Sequence, residues 1–184
     1  MGWTIEPYYH NSVEDYFDHY MESWEGKEWA SDGKLVNGRE YYRAMRDIES
    51  GNYICFIALI DRHSFKHSIA VKTFCETSMP YYFNCPETVF NIISQSETEN
   101  EHAKEWRKNV MKVLENRKKA RELEEGVLIK FDHVLCFGSF SADTFRLASY
   151  KKRKRRIKCF ETKEGFYCQI RNWRKMNFEI VEEW

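Results

Sequence analysis

Residues 99–125, ENEHAKEWRKNVMKVLENRKKARELEE, meet residues 127–137, VLIKFDHVLCF, across Gly126. The first stretch sets Ala103, Trp106, Val110, Val113 or Leu114, and Leu123 at helical spacing, with charge over most of the remaining surface. Glu-to-Lys/Arg pairs three and four residues apart support the solvent side of that helix. Gly126 suits the position just past a helix end. Beyond it the 3.6-residue period disappears and a strand pattern takes over. This change of period decides the fold: helices and strands before Gly126, strands alone after it.

Working towards the C-terminus, "TFRLASYKKRK", "RIKCFETK", "GFYCQIRNW" and "NFEIVEEW" follow as further strands, with turns at "GSFSAD", "TKEG" and "RKMN". Short strands this closely spaced predict a small SH3-like or OB-like β-barrel, which leaves no exposed edge. Working towards the N-terminus, "ETVFNIIS" predicts a short helix with Pro86 at its first position. It is preceded by the proline-bounded loop "TSMPYYFNCPE". "NYICFIALID" and "HSIAVKTFCE" predict two antiparallel strands from their β-branched and aromatic content. "REYYRAMRDIES" is expected to be a helix closed by Gly51, and "EGKEWASDGKLVNG" an irregular loop. Val13, Phe17, Tyr20 and Trp24 predict a helix over 12–24 started by Ser12, after a first strand in "GWTIEPYYH". The expected fold class is α+β: an N-terminal antiparallel sheet with packed helices, a long connecting helix, and a C-terminal small SH3/OB-like β-barrel. The expected domains are 1–98, 99–125 and 126–184.

The composition supplies a core, since 16% of the residues are aromatic, and 32% charged residues set the surface. The longest apolar run, Ile54 to Ile60, is strand length and far short of the ~18–20 residues a membrane helix needs. The opening MGWTIEPYYH lacks the basic and apolar regions of a signal peptide, and Trp3 and Pro7 fit a myristoylation site at Gly2 poorly. Six cysteines without a C-x-x-C pair read as free thiols of a reduced, cytoplasmic protein, with Cys55, Cys136 and Cys168 inside apolar strands.

The zero net charge hides a split. Residues 1–103 hold 8 Lys+Arg against 17 Asp+Glu, and residues 104–184 hold 21 against 12. An acidic half and a basic half suggest a polyanion-seeking surface, or attraction between the halves or between two copies of the chain. The basic half contains six consecutive cations, Lys151, Lys152, Arg153, Lys154, Arg155 and Arg156, expected on a hairpin between strands. Lys118 and Lys119 on the long helix join them as candidate nucleic-acid contacts. Tyr150, Phe160, Tyr167 and Trp173 are candidate base-stacking rings wherever they reach the surface, and core residues otherwise. In the acidic half, Glu14, Asp15, Asp18 and Glu22 lie among aromatics and form a candidate protein-contact face.

Three stretches carry a family resemblance: the opening MGWT, "ETSMPYYFNCPETVFNII" with "ENEHAKEWRKNV", and Gly126-x-x-Ile129-x-Phe131. Together they resemble a family of small proteins of unknown function carried by bacteriophages, prophages and other mobile elements. The motif residues are Trp3, Glu76, Thr77, Pro80, Cys85, Pro86, Trp106 and Arg107. Family members more usually have an acidic residue where this chain has Cys75. The resemblance implies a bacterial cytoplasmic setting and assigns no mechanism.

Catalytic patterns are thin. No glycine-rich phosphate loop occurs, so no nucleotide cofactor is expected. His63 and His67 with Cys75 and Cys85 lack the spacing of a zinc site, and no metal is expected. The expected function is non-enzymatic: an accessory protein of a phage or mobile element, binding and inhibiting a host defence or nucleic-acid-handling complex by complementary charge. Its expected partners are a host protein or nucleoprotein complex, nucleic acid, or a second copy of the chain, and no membrane. Two alternatives stand beside it. One is an enzyme on nucleic acids or nucleotides, using Glu76, Cys85 and His63, His67 or His102. The other is a simple DNA- or RNA-binding protein.

Overall fold

The apolar run anticipated as a strand is the middle of the first sheet. The computed structural model describes residues 3–7, 13–22, 24–61, 68–78, 80–152 and 155–184, with backbone alone at 5–7, 68–69, 151–152 and 155–156. The chain divides into two compact units, 1–111 and 112–184.

In unit 1 the strands are β1 (Thr4–Pro7), β2 (Lys27–Trp29), β3 (Lys34–Val36), β4 (Glu40–Asp47), β5 (Tyr53–Asp61) and β6 (Ser68–Cys75). They form one sheet in the order β1-β6-β5-β4-β2, with β3 also on β4, and every pairing is antiparallel. Helix α1 (Val13–Met21) lays Val13, Tyr16, Phe17 and Met21 against Tyr41, Met45, Phe56, Ala58 and Ile60. The ring of Phe17 stacks on Tyr41 at 4.5 Å, with Phe56 edge-on at 5.2 Å. Alternate residues Tyr42, Ala44, Cys55 and Ile57 point the other way and are equally buried. Helix α2 (Glu87–Ile93) packs on β4 and β5. With both faces covered, β5 is buried continuously from Cys55 to Ile60, as a strand with two apolar faces must be.

Two local expectations are corrected. The segment anticipated as a helix over 39–50 is strand β4, and the anticipated irregular loop contains β2 and β3. Tyr41 and Met45 sit four apart, which fits a helix, yet the neighbouring Tyr42 and Ala44 are buried too, and only a strand between two covered faces buries adjacent residues on opposite sides. Gly33 is where β4 and its flanking loop touch: an added Cβ would lie 1.8 Å from the Tyr41 hydroxyl.

Helix α3 (Glu101–Glu122) is the expected long helix, shorter by a few residues at each end. Asn100 starts it, its side-chain oxygen accepting from the Ala103 N–H at 3.0 Å. The boundary between the units falls within this helix.

Unit 2 is a meander of β7 (Leu128–Cys136), β8 (Ser141–Lys152), β9 (Arg155–Glu161) and β10 (Tyr167–Cys168), followed by a single 3₁₀ turn and β11 (Phe178–Val181). The order β10-β9-β8-β7-β11 is antiparallel throughout, and no pairing between β10 and β11 closes it into a barrel among the described residues. One face holds Ile129, Phe131, Phe145, Leu147 and Phe160, covered by Ala120 of α3, by Leu123 just past its end and by Trp173. Asn116, almost fully buried, ties α3 to the chain before β11 by donating to the Met176 carbonyl at 3.0 Å.

Candidate functional site

The motif residues of unit 1 converge on a buried ion pair. The 3₁₀ turn Glu76–Ser78 directly after β6 sets Glu76 inside the protein at 1% exposure. Arg107 of α3 reaches it with both ends of its fork, Nη2 to Oε1 at 2.6 Å and Nε to Oε2 at 3.1 Å. The same guanidinium donates to the carbonyls of Ser96 at 2.6 Å and Tyr53 at 3.0 Å. Burial pushes the Glu76 carboxyl up from its ordinary value, while Arg107 and the N–H of Cys55 hold it back down. Next to Arg107, Trp106 donates its indole N–H to the Tyr82 carbonyl at 3.0 Å. Asn84 completes the joint by giving its amide to Glu40 at 2.9 and 2.7 Å, while the Tyr42 hydroxyl donates to Glu40 at 2.7 Å. Every charge here meets a protein partner, so the cluster pins the 76–86 segment, β4, β5 and α3 together.

Cys85 is fully buried beside Cys55, and Pro86 precedes α2 as an extended cap instead of occupying its first turn. Burial raises the Cys55 thiol far above its usual value, which keeps it protonated. Pro80 is buried, Thr77 half-buried and Trp3 exposed. His63 and His67 lie outside the described residues, and His102 is exposed on α3. Among the described residues no group of three or more His, Cys, Asp or Glu is arranged to hold a metal ion.

On α1, Glu14, Asp15 and Asp18 are on the exposed side, and Glu22, just past its end, is exposed too. Asp18 is paired with Arg43, and Glu22 lies 3.1 Å from His19. The four residues therefore do not form a uniformly available acidic face.

Unit 2 is arranged differently. Of the basic run, Lys151 lies opposite Arg156 and Lys152 opposite Arg155 at the ends of β8 and β9, while Arg153 and Lys154 lie outside the described residues. Lys118 and Lys119 are exposed on α3. Of the four candidate rings, Phe160 and Trp173 are core residues at 2% and 8% exposure, whereas Tyr150 and Tyr167 are exposed at 40% and 62%. The two tyrosines share the sheet face opposite the core, Tyr150 across from Ile157 and Tyr167 across from Glu161.

Between them lies an open cleft of about 490 Å³ lined by Ser149, Tyr150, Cys159, Tyr167, Cys168 and Gln169. Gln169 donates its amide to the Tyr150 hydroxyl at 3.2 Å, and Tyr167 donates to Glu161 at 3.0 Å. Glu161 also faces Arg146 at 3.6 Å. Burial pushes the Cys168 thiol up to about 11 and raises that of Cys159, so the sulfurs are uncharged at neutral pH. Lys158, exposed, sits opposite Ser149 in the ladder. Sequence inspection named the two tyrosines but not Cys159 or Gln169. The available signal for Cys159 was the alternation across β8 and β9, which puts every second residue on the uncovered face, whereas Ser149, Lys158 and Cys168 fall on the face of Leu147 and Phe160.

A family model described as a domain of unknown function (DUF6927) matches residues 97–173, less than half of the chain. The matched stretch runs from α3 through β10 and so contains both the hairpin and the cleft. The match gives no support to a phage or mobile-element setting. No curated protein and no solved structure matches the chain.

Proposed function

We propose that the chain is a binding protein whose unit 2 grips the phosphate backbone of nucleic acid through the β8–β9 hairpin. The observation that supports this most is the pairing of Lys151 with Arg156 and Lys152 with Arg155, at the ends of two strands whose uncovered face also carries two exposed tyrosines. Cations concentrated on a hairpin tip bind polyanions irrespective of sequence, by releasing counterions from the phosphates. The charge distribution between the units points the same way: residues 112–184 hold 18 Lys+Arg against 11 Asp+Glu, and residues 1–111 the reverse, 11 against 18. Binding is favoured over catalysis because Glu76 is saturated by Arg107 and Cys85 is enclosed, which leaves neither for a substrate.

The fold reading that accompanies this function is an SH3-like, partly open barrel. A four-strand meander whose fifth strand returns beside the first has that order, whereas an OB barrel is a Greek key. The wider reading, an accessory protein of a mobile element acting on a host nucleoprotein complex, draws on the motif resemblance and the charge asymmetry and would add a protein contact through unit 1.

Replacing Lys151–Arg156 by serine tests the proposal. The wild-type chain is expected to bind heparin and labelled duplex DNA with an affinity that falls steeply with salt. Each phosphate contact adds about −0.9 to the slope of log K against log salt, so the variant should flatten that slope by up to ~5. An unchanged affinity and slope would remove the hairpin from any polyanion role.

A further inference from the structure

Resting on that reading, we infer that the cleft beside the hairpin receives unpaired nucleobases, so that the ligand of unit 2 is single-stranded nucleic acid. The hairpin alone does not choose between single strand and duplex. Electrostatics favours the duplex, whose charge density is higher and whose salt slope per contact is steeper. The face next to the hairpin supplies what a phosphate contact cannot: two exposed aromatic rings flanking a cleft, with Cys159 between them in its lining.

The register gives the spacing. Tyr150 pairs with Ile157 and Tyr167 with Glu161, four residues apart along β9, which is about 13 Å of strand. The rings are therefore two platforms for two bases, not a clamp on one. Both are oriented by hydrogen bonds, Tyr150 from Gln169 and Tyr167 to Glu161. The Gln169 carbonyl oxygen accepts no hydrogen bond among the described residues, so it is available to a base edge. The nearest carboxylate, Glu161, is engaged by Arg146 and the Tyr167 hydroxyl, which reduces its repulsion of a passing phosphate. In a duplex the base faces are stacked on one another and cannot reach either ring. A single strand offers every base face at little cost, and aromatic stacking tolerates any base.

The test uses the full chain with labelled oligothymidylate and with a duplex of equal length, read by fluorescence anisotropy. Wild-type protein is expected to bind the single strand more tightly than the duplex at the same salt. Tyr150→Ala and Tyr167→Ala should each weaken single-strand binding about tenfold, leaving duplex binding and heparin retention unchanged. Tyr150→Phe and Tyr167→Phe should keep single-strand affinity, which shows that the ring acts and that the fold is intact. Equal or tighter duplex binding by the wild type, or full single-strand affinity in the alanine variants, overturns the inference. So does a loss in the phenylalanine variants as large as in the alanine ones. The outcomes separate it from the broader proposal: loss of binding in the Lys151–Arg156 serine variant with no tyrosine effect leaves a phosphate grip and removes the base cleft. A wild type that binds neither probe removes both.

Discussion

The two sheets are built from the same kinds of residue, yet they divide the labour. In unit 1 both faces are covered, β5 is buried from Cys55 to Ile60, and the buried carboxylate of Glu76 is answered within the protein by Arg107. In unit 2 one face packs on α3 and Trp173, while the other keeps Tyr150, Tyr167 and Gln169 in contact with solvent. The residues of the Glu-Thr/Cys-Pro/Trp-Arg motif, the most suggestive of chemistry in the sequence, lie in unit 1, on the turn after β6, before α2 and on α3. The uncovered face carries no motif at all. A buried charge that is fully bonded is an element of architecture, and a ligand needs surface that the protein has left unsatisfied.

Cutting the joint of unit 1 should give the largest effect. Arg107→Ala strips the enclosed Glu76 carboxyl of its counter-charge and frees the Ser96 carbonyl as well. The expected loss is about 3–5 kcal/mol in urea unfolding, the range for breaking a buried pair by removing one partner. Combining Arg107→Met with Glu76→Leu should recover much of it, since no unpaired charge then remains. A loss below about 1 kcal/mol for the single change would mean that the pair does not anchor the unit, and the contrast between the sheets would fail.

Next in size is the response to alkali. Burial lifts the Tyr41 hydroxyl from 10.0 to about 12, and Tyr42 higher still. The unfolded chain releases these protons first, so stability is unaffected by them below pH 10 and falls as pH rises through the interval to about 12. Each such group contributes a slope of about 1.4 kcal/mol per pH unit. Tyr41→Phe should remove one group's share of that slope, and unfolding midpoints across the interval would measure it. An identical slope in the variant would mean that the Tyr41 hydroxyl is not held neutral by the sheet.

How far the sequence told this story depends on range. Helix α3 was legible because Ala103, Trp106 and Val110 repeat on one face, and the basic hairpin because strand patterns flank it. Strand β4 was misread, since Tyr41 and Met45 satisfy a helical spacing and Arg43, Ala44 and Arg46 are good helix formers. Burial between two covered faces overrode that local preference. The Glu76–Arg107 pair spans 31 residues and depends on where α3 returns to the sheet, which no local pattern encodes. The cleft was half legible: the tyrosines stood out by type, but β10 is only two residues long, and its register against β9 decides which rings stay outside.

The smallest expected effect is the most discriminating. Tyr150→Ala removes a ring exposed at 40% whose one hydrogen bond given by the structure, from Gln169, also lies at the surface. Such a change should alter stability by no more than about 0.5 kcal/mol, as surface substitutions do. Phe145, on the same strand and fully buried in the core, provides the internal control: its truncation to alanine costs about 3–5 kcal/mol. If Tyr150→Ala destabilised unit 2 as severely as Phe145→Ala, the outer face would be a second core surface, and its tyrosines would need no ligand to explain them. A stable Tyr150→Ala protein that has lost single-strand affinity would mean instead that the ring is kept for a partner, at a place where the fold makes almost no use of it.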